Sequence, residues 1–460
     1  MEPGGTPRNK GSLPDRVWRP LTQHSVLRDS KPRRMVSGHA ATLTDDEGKT
    51  YLDAVSGVLC VNVGYGRSEL ADVAAEQMRM LPYVSPALTC QPTVDLAEKI
   101  KELLGTDGHV YFSTSGSEAN EAAFKMARQY HLQGGEGSRY KIVSRYRAYH
   151  GNTLGAMAAT GQAERRIGYE PGAVGFRHIF PPYPYRARRS LTVDEHGDEA
   201  ADWLNEVIIH EGAETIAAFL MEPIISGGGV LVPPDNYIAQ IREICNRHGV
   251  LLIFDEVVSG FGRTGKMFGW QHWGEQADIY TFAKGIASAY MPLAATFAKE
   301  EVFERFDGEV GDLSHFRHIN TYGGHPVAAA VGLANLRIIE REGLVSRAEM
   351  MGDYLRHGIE ERIGDLSMVG EVRGKGLLLG IELVSDRDTR EPLRADLVSR
   401  IVAHCADHGL IVSRNGNTVP GRANVLLIAP PFVITESEAD QIADSVAKAL
   451  EALRGTSTVS

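Results

Sequence analysis

The sequence predicts an α/β fold, with a large domain around a mostly parallel central sheet and a smaller α+β domain. Strand-like and helical segments alternate through the middle of the chain, and strand-like runs such as residues 250–254 are apolar at every position. Such runs suit parallel strands, because helices cover both of their faces. Towards the end of the chain, short strand-like runs lie beside amphipathic segments, which predicts the separate α+β domain.

The first predicted strand–helix unit spans residues 109–130, "HVYFSTSGSEANEAAFKMARQY". A small polar turn places Ser115, Gly116 and Ser117 at the start of the helix. Free backbone N–H groups, the positive end of the helix dipole and two hydroxyls make such a turn suitable for a phosphate. A serine at this position is also a common N-cap, and the residues alone leave both interpretations open.

Aromatic or acidic residues lie at or after the ends of three further predicted strands. Tyr149 and His150 follow the strand in "YKIVS", Glu222 ends "TIAAFLMEP", and Asp255 and Glu256 end "VLLIFDE". In open α/β sheets, ligands bind outside the carboxyl edge of the strands, so these residues are candidates for a binding site. The structural alternatives are an aspartate that caps the next loop and an aromatic residue that only packs.

Lys284 follows the apolar run at residues 279–282, and no acidic residue lies between positions 279 and 290. A buried lysine tends to lose its proton, and the neutral amine is a nucleophile that forms Schiff bases with carbonyls. The alternative is a lysine whose stem packs while its charged head reaches solvent.

Two helices are predicted from their periodicity and their end signals. Residues 236–248 carry Ile238 and Ile241 at helical spacing, and Gly249 supplies a stop. The final helix begins at Thr435, with Glu438 three residues later as a capping box.

One glycine pattern resembles a dinucleotide-binding fingerprint. Gly260, Gly262 and Gly265 match G-x-G-x-x-G after a strand, and Asp278 lies further along the chain. The fingerprint should open a helix with an apolar face, yet residues 266–276 contain glycines and aromatic residues without helical periodicity. A nicotinamide dehydrogenase is therefore only the alternative from a different enzyme class.

Composition and charge exclude several function classes. A net charge of −11 is opposite to the basic surface that nucleic-acid binding needs. No apolar run has the length of a membrane span, no signal-peptide core is present, and we expect a cytoplasmic protein. His315 and His318 lack an adjacent acidic ligand, which predicts no metal site. The cysteines are too scattered for a disulfide framework: Cys60, Cys90, Cys245 and Cys405.

A Schiff-base lysine, a phosphate cradle, a carboxylate at a sheet edge and a stacking aromatic residue are together what pyridoxal 5′-phosphate requires. From about Trp18 to about Ala449, the chain resembles the class III (ω-) aminotransferases, which are pyridoxal-phosphate enzymes of fold type I. The motifs that carry the resemblance occur in the family's order: "GVLCVNVGYGR", "TSGSEANEAAFKMAR", "YHGNT", "MEPI", "LLIFDEVVSGFGRTG", "DIYTFAKGI", "NTYGGHPVAAA" and "LLIAPPFVIT".

The resemblance implies a role for each residue around the cofactor ring. Lys284 is implied to bind the aldehyde as a Schiff base, and Asp255 to pair with the pyridinium nitrogen. Tyr149 and Val257 are implied to stack on opposite faces of the ring, with Tyr149 counted among the catalytic residues. Glu222 is implied to orient groups beneath the ring.

The resemblance also implies how the phosphate is bound. Ser115, Gly116 and Ser117 match the phosphate-binding turn, and Thr321 matches a threonine that reaches the phosphate across a dimer interface. A homodimer acting on small-molecule amino donors and keto acids is therefore implied. We expect a flexible arm over residues 1–20, with the domains following it: small-domain strands over 21–69, the large domain over 70–335 and the C-terminal α+β part over 336–460.

Candidate substrate contacts come from the same resemblance. The family commonly holds a substrate carboxylate with an arginine after a "GLIV"-like strand, and Arg414 is displaced from that place by one residue, with an exposed loop arginine as the alternative. Leu59 stands where the amine–pyruvate branch often has tryptophan, which predicts a pocket less suited to large aromatic amines. Arg186 is a further arginine able to receive a sulfonate or carboxylate.

The likeness is greatest to taurine–pyruvate aminotransferases, in the segments "YRAYHGNTLGAMAATGQAERRIGYEPGAVGF", "PPYPYR" and "AKGIASAY". It implies ping-pong transamination from an ω-amino acid, taurine or β-alanine, to pyruvate. The alternatives are an amine–pyruvate or diamine–pyruvate aminotransferase and a decarboxylating or amino-shifting relative on the same fold.

Overall fold

The computed structural model describes residues 16–27, 32–187 and 191–454, so residues 1–15 of the expected arm lie outside the described residues. The strands in these ranges are β1 (Met35–His39), β2 (Thr42–Asp45), β3 (Thr50–Asp53), β4 (Gly108–Ser113), β5 (Lys141–Arg145), β6 (Phe176–Ile179), β7 (Ile216–Met221), β8 (Leu251–Asp255), β9 (Ile279–Phe282), β10 (Ala294–Lys299), β11 (Val369–Lys375), β12 (Leu378–Leu383), β13 (Leu410–Ile411), β14 (Ser413–Arg414) and β15 (Val425–Ile428).

The α-helices in the same ranges are α1 (Ser56–Leu59), α2 (Ser68–Met80), α3 (Gln91–Leu104), α4 (Gly116–Gln133), α5 (Leu154–Ala159), α6 (Ala163–Arg166), α7 (Val193–Glu211), α8 (Tyr237–His248), α9 (Glu300–Phe303), α10 (Pro326–Arg341), α11 (Leu344–Ile363), α12 (Ala395–Asp407) and α13 (Glu436–Arg454). None of the described helices has the length and apolar character that a membrane crossing requires.

A seven-stranded sheet in the order β4-β10-β9-β8-β7-β5-β6 forms the centre of the molecule. The neighbours from β9 to β6 pair in parallel, and β10 is antiparallel to both β4 and β9. Every residue of β7, β8 and β9 is buried, which explains why these strands consist mainly of apolar residues. The predicted mostly parallel sheet is confirmed.

The predicted helix ends are also confirmed. α8 buries Ile238 and Ile241 and ends at Gly249, whose φ of 64° lies in the left-handed region that glycine adopts without steric cost. Before α13, the backbone N–H of Thr435 donates to Glu438 and the N–H of Glu438 donates to the Thr435 hydroxyl, at 2.8 and 3.2 Å. This reciprocal pair is the capping box that the sequence predicts.

Two smaller sheets lie outside the central one. Strands β11-β12-β15-β14 form one, and β1-β2-β3-β13 form the other. In the second sheet, β13 from the C-terminal part pairs in parallel with β3 from the N-terminal part, with Leu410 opposite Leu52. The N-terminal strands and the C-terminal region therefore share one sheet, although the exact domain boundaries stay a prediction.

Candidate active site

Three neighbouring strands deliver side chains to one cavity. β7, β8 and β9 lie side by side, and Glu222, Asp255 and Lys284 stand at or just beyond their carboxyl ends. All three residues line a cavity of about 730 Å³, together with the start of α4 and the loop after β5. The sheet topology brings residues from distant parts of the sequence to one edge, where ligands bind in this class of fold.

Lys284 opens onto this cavity. Its φ of 47° places a non-glycine residue in the left-handed region, a strained conformation of the kind that clusters at functional sites. Burial lowers the pKa of its amine, while the charge of Asp255 acts in the opposite direction. Across the described ranges, no hydrogen bond or ion pair engages its Nζ. The amine is thus shifted towards its neutral, nucleophilic form and is not held by another group.

Asp255 is held rigidly at the end of β8. Its Oδ2 accepts hydrogen bonds from Asn120 Nδ2 at 2.9 Å and from His150 Nδ1 at 2.8 Å. Its Oδ1 accepts one bond, from the backbone N–H of Val257 at 3.1 Å. The carboxylate is only 3% exposed, so these three donors fix its orientation towards the cavity.

The start of α4 forms another part of the cavity wall. The Ser115 side chain accepts the N–H of Glu118 at 3.3 Å and is therefore an N-cap. Ser117 Oγ donates to Asn152 Oδ1 at 2.9 Å. The backbone N–H groups of Gly116 and Ser117 have no partner among the described residues. Two free donors at the positive end of an 18-residue helix are a suitable anion site.

Tyr149 and Val257 both line the cavity. Burial raises the pKa of the Tyr149 hydroxyl, which keeps it protonated at neutral pH. Val257 lies so close to Gly116 that a Cβ there would come within 3.0 Å of it. A side chain at position 116 would therefore close the space between the helix start and Val257.

Glu222 supports the loop that carries Tyr149. Its Oε1 accepts the backbone N–H of Tyr149 at 3.1 Å, and its Oε2 accepts the N–H and the hydroxyl of Ser226 at 3.0 and 2.6 Å. The residue is 3% exposed, and all of these donors are neutral. Glu222 therefore joins two loops beside the cavity.

Glu256, the neighbour of Asp255, takes no part in the cavity. Its carboxylate accepts bonds from Ser259 and from the backbone N–H groups of Gly269 and Trp270, at 2.6 to 2.9 Å. Burial raises its pKa to about 7. Of the two adjacent acids that the sequence offers, the structure brings only Asp255 to the site.

The candidate substrate residues are placed differently. Leu59 and Arg414 line the cavity, and their contact with a substrate stays a prediction. Arg186 does not: its Nε donates to the fully buried Glu382 at 2.6 Å. The expectation that Arg186 receives a substrate acid group is therefore wrong, because Glu382 on β12 already neutralises it.

Thr321 lies outside the cavity of its own chain. It is exposed, and its carbonyl oxygen accepts the hydroxyl of Tyr83 at 3.0 Å. The structure of a single chain therefore does not test the implied contact of Thr321 with the phosphate site of a second subunit.

Sequence reasoning assigned no role to Asn120, which the structure places beneath the site. Asn120 lies one turn after Gly116 and contacts Asp255, the His150 carbonyl and the Thr281 hydroxyl. A polar residue on the mostly apolar buried face of α4 was the available signal, since such a group must be hydrogen-bonded. Arg165, which also lines the cavity, had no comparable signal.

The glycine pattern at 260–265 does not open a helix. These residues form turns after β8, and Gly262 and Gly265 adopt φ values of 95° and 86° against Phe432 and Glu349. The structural context needed for dinucleotide binding is absent from this described segment, as the sequence analysis expected.

A profile of the aminotransferase class-III family matches residues 27–450. The chain belongs to the class III aminotransferases. An uncharacterized aminotransferase of Bacillus subtilis is 51% identical over 90% of both chains. A taurine–pyruvate aminotransferase of Bilophila wadsworthia is 42% identical over 94% of both, and a putrescine–pyruvate aminotransferase of Pseudomonas aeruginosa is 36% identical over 94% of this chain and 93% of its own.

Solved structures agree with this assignment. A Bacillus anthracis aminotransferase superimposes with a TM-score of 0.92 at 47% identity, covering 95% of this aminotransferase and 96% of its own chain. An ω-transaminase of Pseudomonas jessenii in complex with PMP gives a TM-score of 0.91 at 34% identity, covering 96% and 97%. The α/β fold is thus that of the pyridoxal-phosphate enzymes of fold type I.

Class III aminotransferases depend on pyridoxal 5′-phosphate, and the cavity of this aminotransferase fits that group. An amine whose pKa is lowered by burial suits the aldehyde, and a fixed buried carboxylate suits the ring nitrogen. Two N–H groups at a helix start, without a partner among the described residues, suit the phosphate. The close approach of Gly116 to Val257 leaves no room for a side chain in the cradle.

Proposed function

We propose that this enzyme transfers the amino group of an ω-amino acid, taurine or β-alanine, to pyruvate by a ping-pong mechanism. The observation that carries the proposal is Arg414 in the same cavity as Lys284. Its guanidinium makes one long hydrogen bond, from Nη1 to the Ala423 carbonyl at 3.5 Å, and pairs with no carboxylate in the described ranges. Relatives named taurine–pyruvate aminotransferases add support.

The cofactor-binding residues are part of this proposal. Lys284 would hold the aldehyde and Asp255 the ring nitrogen, while Tyr149 and Val257 would cover the two faces of the ring. The N–H groups of Gly116 and Ser117, with Ser115 as their N-cap, would hold the phosphate. When bound, pyridoxal phosphate supplies an electron sink for the negative charge that develops on the substrate carbon as it loses a proton.

Side chains of the protein then transfer the proton and hold the surrounding groups in place. Lys284 Nζ, whose pKa is lowered by burial, accepts the proton from the substrate carbon and returns it, acting as base and then as acid. Asn120 and His150 hold Asp255 in one orientation while this happens. Glu222 holds the Tyr149 loop so that the aromatic ring keeps its place.

A homodimer in the cytoplasm belongs to the same proposal. Thr321 is exposed and lies outside its own cavity, so a phosphate contact from it requires a second copy of the chain. The exposed side chains of Leu88, Ile319 and Tyr322 supply apolar surface for such an interface. All four cysteines are free, which suits a reducing compartment. Light scattering of the purified protein tests the dimer.

A diamine or monoamine donor is the second candidate. The relative named putrescine–pyruvate aminotransferase supports it, as does the apolar part of the cavity around Leu59, Met291 and Leu293. A decarboxylating or amino-shifting reaction would instead release carbon dioxide or proceed without a keto acid.

A donor panel tests the proposal. The holoenzyme is mixed with taurine, β-alanine, putrescine, 1-phenylethylamine or alanine, and conversion of the bound cofactor to pyridoxamine phosphate is followed by absorbance. We expect taurine and β-alanine to react fastest and pyruvate to reverse the change. If only amines without an acid group convert the cofactor, the donor assignment is wrong.

A further inference from the structure

Arg165 is a positively charged residue of the active cavity that is not among the proposed cofactor-binding residues. It lies on the short helix α6 and lines the cavity. Its guanidinium stands 5.4 Å from the centre of the Tyr149 ring, over the face of that ring. Arg165 therefore contacts the aromatic residue that we propose stacks on the cofactor ring.

Among the described residues, no carboxylate is paired with the positive charge of Arg165. Its Nε is buried without a hydrogen-bond partner, and in the described ranges no carboxylate pairs with its guanidinium. The two acids that line the cavity are engaged elsewhere, Asp255 with Asn120 and His150 and Glu222 with Tyr149 and Ser226. A desolvated arginine without a counter-charge is costly, so an incoming anion would be stabilised there.

Arg165 is also hydrogen-bonded, through its helix, to the segment that carries Arg414. The backbone N–H of Glu164 donates to the Thr418 carbonyl at 2.9 Å. This bond joins α6 to the loop that follows Arg414, and both arginines line the same cavity. Two guanidinium groups on joined segments form a wall that favours an acidic substrate.

We propose that Arg165 binds the acid group of the amino donor, as an anion-binding residue additional to Arg414. The assignment rests on the proposed function, because it names the residue that receives the sulfonate or carboxylate of an ω-amino acid. A planar guanidinium donates two parallel hydrogen bonds to either group, and an amine donor without an acid group has no pair of oxygen atoms to accept them.

Arg166, the next residue, supplies a matched control. It lines a different cavity and has Glu170 at 3.7 Å from its Nη1. Replacing either arginine removes one positive charge from α6. Only Arg165→Gln removes it from the active cavity, so the two variants separate a local contact from a general change of charge.

The first test measures anion binding without turnover. Ethanesulfonate, which has the acid group of taurine but no amine, is titrated into the holoenzyme by calorimetry. We expect Arg165→Gln to raise its Kd by about 10- to 100-fold, the effect of losing a charge-assisted pair. Arg165→Lys should recover part of the binding and Arg166→Gln should match the wild type. Unchanged binding in Arg165→Gln, or no binding to the wild type, overturns the assignment.

The second test compares donors on the same variants, with melting temperature and cofactor absorbance confirming that each is folded and loaded. We expect Arg165→Gln to slow the half-reaction with taurine by about 10- to 100-fold and to leave that with n-butylamine unchanged. Equal slowing of both donors argues against the assignment. If wild type binds ethanesulfonate through Arg165 but does not react with taurine, the proposed donor fails while the anion site stands.

Discussion

The active cavity has two walls that are built differently. The strand wall consists of Glu222, Asp255 and Lys284, at the ends of three adjacent buried strands. Each of its two carboxylates is 3% exposed and accepts three hydrogen bonds. Groups that are buried and multiply bonded keep one geometry whichever substrate enters.

The loop wall consists of Leu59, Arg165 and Arg414, on short elements outside the central sheet. Leu59 has a φ of 59° in a distorted turn, Arg165 lies on a four-residue helix and Arg414 on a two-residue strand. These side chains make few bonds to the rest of the chain. With the proposed roles, the difference teaches that residues fixed by the central sheet would carry the chemistry, whereas residues on short connecting elements, which tolerate substitution more easily, would select the donor.

The largest effect should come from the strand wall, at Lys284. Lys284→Ala removes both the covalent attachment and the proton carrier, so we expect turnover to fall by about 10⁴-fold or more. Borohydride reduction followed by peptide mapping should place a pyridoxyl group on the peptide containing Lys284 in the wild type. Lys266→Ala, a half-exposed lysine paired with Glu349, is the control. A wild-type map without that adduct would end the cofactor assignment.

Asp255 and Glu256 allow a comparison between adjacent acids. We expect Asp255→Asn to lower kcat/KM by about 10²- to 10³-fold, because a fixed charge at the cavity is lost. Glu256→Gln should keep the activity but lose about 1–3 kcal/mol of stability, since its amide would oppose the N–H donors that now face it. Steady-state kinetics and thermal melting measure the two effects. The reverse pattern would assign the chemistry to the wrong acid.

The loop wall should respond to Arg414 in a donor-dependent way. Arg414→Gln is expected to lower kcat/KM for taurine by about 10- to 100-fold and to leave that for n-butylamine unchanged. Arg186→Gln is the control, because Arg186 pairs with buried Glu382 and should lower the melting temperature without altering the ratio of the two rates. A changed ratio in the control, or an unchanged one in Arg414→Gln, would contradict the assigned roles.

The strand wall was largely predictable from the sequence. The apolar runs locate β7, β8 and β9, and the residues that follow such runs must lie at the carboxyl edge of a parallel sheet. That rule alone brings Glu222, Asp255 and Lys284 together. It does not say which of Asp255 and Glu256 faces the cavity, because the direction of each side chain depends on the path of the chain after β8.

The loop wall was less predictable, because its properties depend on contacts between distant residues. Arg186 has the same chemistry as Arg414, but Glu382, 196 positions away, neutralises it. The reverse holds for Arg165, whose proposed role rests on the absence of such a partner in the described ranges. A local sequence pattern does not indicate which arginine forms an ion pair with a carboxylate that is distant in the sequence.

The smallest expected effect lies outside both walls and concerns stability alone. His178 on β6, at the edge of the central sheet, has its Nε2 3.2 Å from the Ala159 carbonyl, and burial lowers its pKa from 6.5 to about 4. Between these values the unfolded chain binds a proton that the folded chain does not. The contribution of the neutral His178 side chain to the free energy of unfolding is therefore present above pH 6.5 and is lost as the pH falls towards 4.

Substituting His178 should therefore flatten the acid limb of the stability curve. We expect the melting temperature of His178→Asn to fall less than that of the wild type between about pH 7.5 and about pH 5. The slopes of the free energy of unfolding against pH should differ between the two proteins by up to about 1.4 kcal/mol per pH unit. His210→Asn, at a position on α7 whose side chain is 79% exposed, is the control for the loss of an imidazole. Because His178 lies outside the cavity, the ratio of taurine to n-butylamine rates at neutral pH should stay at the wild-type value. An altered ratio would mean that a substitution at the sheet edge also changes the donor preference that we assign to the loop wall. Stability and donor preference would then not be determined by separate parts of the molecule.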